Sequence, residues 1–129
     1  MTAAVSQSNL SFQSLRVVLA VHCLALLAQP SIAGEFLSGT YGVVKFHEWA
    51  GWLILALCIL QIALAAFAIR SGTVSWWLVI GTAFVLLAET FQMVTGYLRF
   101  LRVHVPLGVI VFGAVLIQTM SLFRRDGRK

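Results

Sequence analysis

Apolar residues fall into four long blocks, roughly 15–37, 46–69, 74–98 and 104–123, separated by short polar stretches. The blocks are apolar on every face, and they lack the strict alternation of barrel strands. At about 1.5 Å per residue each is long enough to cross a bilayer core of about 30 Å. A helix satisfies its own backbone hydrogen bonds in lipid, so four membrane-spanning helices are predicted. The connections are short, so consecutive helices run antiparallel. The expected fold is an all-α, up-down four-helix transmembrane bundle over 15–123, with an N-terminal tail over 1–14 and a basic tail over 124–129.

Composition supports the bilayer as solvent. The chain has 129 residues, of which 60% are hydrophobic and only 10% charged. A soluble domain this small could not bury so much apolar surface. The net charge of +5 does not point to nucleic acid, because the basic residues sit at helix ends. Arg16, Arg70, Arg124, Arg125, Arg128 and Lys129 fall on one side of the membrane; Lys45, Arg99 and Arg102 fall on the other. The positive-inside rule makes the first side cytoplasmic and places both termini there. "SIAGEF" offers small residues of the kind found at a signal-peptide cleavage site, but the preceding apolar stretch is long for a leader, so a retained first helix is expected. Cys23 and Cys58 form no CxxC and read as buried thiols.

A shift of 57 residues lays "EFLSGTYGVVKFHEWAGWLILALCILQ" over "QMVTGYLRFLRVHVPLGVIVFGAVLIQ". Glu35 meets Gln92, Ser38 meets Thr95, Gly39 meets Gly96 and Lys45 meets Arg102. His47 meets His104, Gly51 meets Gly108 and Gln61 meets Gln118. Two of the three histidines coincide, which suggests two repeated helical hairpins. Helices two and four then start on the same membrane side. His47 and His104 lie in their first turns, at one depth near the outer face. Facing histidines on bundle helices can ligate one metal from opposite sides.

Gly51 and Gly108 follow at i+4, one turn deeper on the same face, with Gly39 and Gly96 flanking. Together they leave clearance for a wide, flat group. Haem fits this description: two axial imidazoles, glycine clearance, and Lys45, Arg99 and Arg102 within reach of the propionates. No CxxCH occurs, so one non-covalent haem b is expected. A zinc or copper ion would want three or four close ligands. Here only Glu48 and Glu35 could assist.

Glu89, near the middle of the third helix, is costly in lipid, at about 2.5 kcal/mol or more. It would offset the charge of a ferric haem, take up a proton on reduction, or rest as a protonated bundle residue. With Glu35 and Glu48 it completes the set of candidate catalytic carboxylates. His22, Gln61 and Gln118 are expected to form a second polar cluster nearer the inner side. That cluster reads as hydrogen-bond glue between helices, or as a quinone head-group pocket or the start of a proton path.

Two resemblances follow from these residues. "AQPSIAGEFLSGTYGVVKFHEWAG" with "QMVTGYLRFLRVHVPLG" resembles a family of small four-span bacterial membrane proteins; this implies a fold and the bacterial cytoplasmic membrane, but no activity. "Q-x3-G-x7-H" at Gln92, Gly96 and His104 is more distantly similar to haem A synthase. Each half of that enzyme is a four-helix bundle whose second and fourth helices carry haem-ligating histidines. The similarity implies that His47 and His104 are ligands. The acidic residue that this family carries shortly before its first ligand is missing, since Val44 stands three before His47 and Glu48 follows it. The similarity therefore implies haem binding more than haem modification.

The functional expectation is a membrane b-type cytochrome that exchanges electrons with quinone or a membrane partner, as a homodimer or a subunit of a larger complex. The alternatives are a haem-modifying or haem-carrying protein of haem A synthase type, and a cofactor-free structural subunit.

Overall fold

The computed structural model describes residues 2–124, with side chains from Leu10 onward. Arg125, Arg128 and Lys129 of the expected basic tail lie outside the described residues. Four α-helices run α1 Thr2–Leu37, α2 Val44–Arg70, α3 Trp76–Tyr97 and α4 Leu101–Arg124, with a single 3-10 turn at Tyr41–Val43. All four are long and apolar enough to cross a membrane. The segment expected as an N-terminal tail is helical from Thr2 and continues into the first span. Pro30 and Pro106 lie inside α1 and α4; neither can donate to the carbonyl four residues earlier, that of Leu26 or Arg102.

Each helix packs against two neighbours, in the order α1–α2–α3–α4 and back to α1. Thus α1 faces α3, and α2 faces α4, across the bundle axis. The outer surface is apolar: Val17, Leu24, Phe67, Phe84, Leu87, Val109 and Ile117 are all exposed. The buried polar residues are His22, Gln61, Thr82, Glu89 and Thr95. Lipid solvates the outside, so polar groups gain by turning inward to find partners.

The inward stripes explain the packing. On α2 the stripe is His47, Gly51, Ile54, Cys58, Gln61, Ala65 and Ala68, in steps that alternate four and three. On α4 it is His104, Gly108, Val111, Val115, Gln118 and Leu122, with the same alternation. A mean step of 3.5 residues is the left-handed bundle repeat. The α2 stripe from His47 to Ala65 maps onto the α4 stripe under the 57-residue shift. Small residues at Cys58, Ala65 and Ala68, none of them accessible, let α2 approach its neighbours closely.

The repeat is broken in α1 and α3. Gly39 ends α1 with φ +104°, and Thr40 N–H reaches the Glu35 carbonyl while Gly39 N–H reaches Phe36. This is a Schellman cap. The same bonds at the end of α3 run from Phe100 to Thr95 and from Arg99 to Gly96, so the capping position is Arg99, at φ +56°. Gly39 and Gly96 coincide in sequence but not in place.

Candidate functional site

The ends of α2 and α4 bring His47 and His104 together across the axis. Their ring centroids are 6.1 Å apart and their planes cross at 62°. Both rings are half-buried. Each sits at the first inward position of its stripe, so register alone aims both at the centre.

His104 is held by α3. Its Nδ1 lies 2.9 Å from the Gln92 carbonyl. A carbonyl only accepts, so Nδ1 carries the proton and Nε2 keeps its lone pair. This is the arrangement by which outer groups orient metal-binding histidines. The contact depends on Gly96: a Cβ there would stand 2.9 Å from Cε1 and 3.1 Å from Nδ1 of His104. His47 has no such tether. Its Nδ1 is buried without a hydrogen-bond partner.

Two glutamines complete the site. Gln29, on α1, donates from Nε2 to the His47 carbonyl at 3.2 Å and lies against Gly51. Gln92 lies against Gly108, its Nε2 2.7 Å from where a Cβ would be. The space one turn below the histidines, expected as clearance for a flat group, thus holds two amide side chains. Their Oε1 atoms are buried without partners. With His47 Nδ1 they form a set of unsatisfied polar atoms around the imidazole pair, an arrangement that buried groups normally avoid.

The remaining predicted residues are distributed as follows. Gly39 is an exposed helix cap with open space where a Cβ would stand. Lys45, Arg99 and Arg102 are exposed at the histidine end. Glu35 is exposed on α1. Glu48 is exposed and accepts a 2.6 Å hydrogen bond from the Tyr97 hydroxyl, which links α2 to α3.

Glu89 is not beside the histidine pair. It is buried nearer the middle of α3, where His22 Nε2 lies 2.8 Å from its Oε1. On the other side of that ring, Gln61 Nε2 is 2.6 Å from Nδ1. An amide nitrogen only donates, so Nδ1 accepts and the ring proton sits on Nε2; the 2.8 Å approach to Glu89 lacks hydrogen-bond geometry, and Nε2 is buried without a hydrogen-bond partner. The Cys58 thiol, buried on α2, donates instead to the Thr82 carbonyl at 3.7 Å, and both Glu89 carboxyl oxygens are buried without a hydrogen-bond partner. The expected cluster of His22, Gln61 and Gln118 is therefore realised in part. Gln118 turns instead to Thr82, whose hydroxyl donates to its Oε1 at 3.3 Å, and Glu89 takes its place beside His22.

Sequence reading did not single out Gln29 or Tyr97 for these roles. Gln29 had a signal: it follows His22 by seven residues, on the same stripe, inside an apolar run. The Tyr97–Glu48 bond had none, because it depends on how α3 rotates against α2. Among the described residues no group of three or more His, Cys, Asp or Glu could hold a metal ion. Comparison of the chain with family models, with curated proteins and with solved structures gave no match.

Proposed function

We propose that this membrane protein is a b-type cytochrome that holds one haem between His47 and His104 and passes electrons to or from quinone or a membrane partner. The observation that carries the reading is the imidazole pair on diagonally opposed helices, 6.1 Å apart. Metal–imidazole bonds of about 2 Å, plus roughly 1 Å from nitrogen to ring centre, put two rings on opposite sides of one metal at about 6 Å. The tether on His104 Nδ1 leaves Nε2 as the ligating atom. A bare divalent ion would need more protein ligands than two. A porphyrin brings its own four nitrogens, so two imidazoles suffice.

The residues present fit such a group. Three unsatisfied buried polar atoms surround the pair, and the two occupants of the glycine-lined space are flexible amides that can swing aside. Haem, if bound here, would be held by His47 and His104 and would supply one-electron chemistry. Lys45, Arg99 and Arg102 at the same end are the charge partners for propionates. The basic residues at the other end support placing both termini on the cytoplasmic side of a bacterial inner membrane.

The test is a haem titration of the detergent-purified protein. The reading expects one haem per chain and a sharp low-spin spectrum after dithionite reduction. A preparation that stays colourless when haem is supplied leaves the cofactor-free structural role as the better account.

A further inference from the structure

The buried middle of the bundle is unused by the reading above. His22 is fully inaccessible and Glu89 is 3% exposed, and they meet across the axis from diagonally opposed helices. Two titratable groups in contact at that depth are expensive in lipid, and such residues are usually functional. Gln61 occupies Nδ1, which leaves Nε2 beside the carboxyl group, and neither Nε2 nor the two carboxyl oxygens has a hydrogen-bond partner. The facing groups on the other elements are few. The other buried titratable groups among the described residues are the Cys23 thiol on α1 and the Cys58 thiol on α2; towards the histidine end lie His47 and His104. No lysine or arginine is buried among the described residues.

Polar groups also descend from this pair towards the end that carries the termini. Cys58 Sγ points to the Thr82 carbonyl at 3.7 Å, and the Thr82 hydroxyl reaches Gln118. Gln118 lines a cavity of about 220 Å³ together with Ser75 and Ser121. In the opposite direction, Glu89 is three residues from Gln92, the anchor of His104. That is about 4.5 Å along the helix.

We propose that the His22–Glu89 pair is a proton-binding site whose occupancy follows the charge at the His47–His104 site. The proposal rests on the haem reading. Delivery of one electron, from a quinol or from dithionite, removes one positive charge at the histidines. Binding of a proton at the pair restores it, and oxidation releases both. A unit charge at about 10 Å, through an effective dielectric constant of about 20, changes proton affinity roughly tenfold.

The experiment is a spectroelectrochemical titration of the haem-loaded protein across pH. The midpoint should fall by about 59 mV in all from the acid to the alkaline limit, the equivalent of a tenfold change for one electron. In weakly buffered medium a pH dye should report proton uptake on reduction, greatest where the midpoint changes most steeply. The double variant His22→Gln, Glu89→Gln should keep the low-spin spectrum and lose both effects. A pH-independent midpoint in the wild type, or a dependence that survives in the double variant, overturns the assignment.

A haem-free measurement keeps the two proposals separable and does not need the double variant to fold. The chain has four acidic side chains, and Glu35→Gln with Glu48→Gln removes the two exposed glutamates. That haem-free protein should still show a titrating buried carboxyl band in pH-difference infrared spectra. Its absence counts against the pair, whereas a colourless preparation counts only against the haem.

Discussion

Replacing Gly96 with alanine tests how the site is held. The new methyl group would sit 2.9 Å from Cε1 and 3.1 Å from Nδ1 of His104, against an ordinary contact of about 3.5–4.0 Å. The ring must retreat by roughly 0.6–1 Å. Its hydrogen bond to the Gln92 carbonyl is now 2.9 Å, so retreat takes it past the useful range of about 3.2 Å. The loss is worth about 0.5–1.5 kcal/mol. Alanine returns about 0.5–1 kcal/mol in helix preference over glycine. Folding stability should therefore change by less than about 1 kcal/mol, while the imidazole loses its fixed position. Outer groups that orient a metal ligand contribute about 10–100-fold in affinity, so haem affinity should fall by that factor. Haem titration and thermal unfolding in detergent, run side by side, check both halves. Gly108→Ala is the contrast, since its Cβ would meet only the tip of the Gln92 side chain, which can rotate away without moving a ring. Unchanged haem affinity in Gly96→Ala, or loss of several kcal/mol of stability, would refute the reasoning.

Further outcomes follow from other contacts. Arg99→Gly should stabilise the protein by about 1 kcal/mol, because a non-glycine residue pays about 1–2 kcal/mol at positive φ, and Gly39→Ala should destabilise it by a similar amount; melting temperatures decide. Gln61→Leu strands a ring nitrogen of His22 in the core and should cost about 1–3 kcal/mol, read from denaturant unfolding in mixed micelles. Gly113→Ala, with nothing within 4 Å of the added carbon, should gain up to about 1 kcal/mol of helix preference and leave haem affinity unchanged.

The four helices were legible because lipid imposes one requirement on every residue of a span. The α2 and α4 stripes were legible because His47 and Gly51 recur as His104 and Gly108, so a single shift placed both imidazoles on the axis. Glu89 beside His22 was not legible. Under the same shift Glu89 lies over Ile32 and His22 over Val79, and α1 ends on a glycine cap where α3 runs three residues further to Arg99. Contacts between α1 and α3 depend on that offset, which the repeat concealed. Gln29 and Gln92 filling the glycine space depends on side-chain reach across neighbouring helices, and no spacing rule reports it. Glu48, without a counterpart in the second half, is explained by Tyr97.

In the proposed function, His47 and His104 are the two protein ligands of one haem. The most direct measurement is the dithionite-reduced visible spectrum of His47→Ala, His104→Ala and His22→Ala beside the wild type, each supplied with haem. The first two variants should lose the low-spin spectrum, and His22→Ala should keep it. A low-spin spectrum that survives in His104→Ala, or one that disappears in His22→Ala alone, would contradict the account.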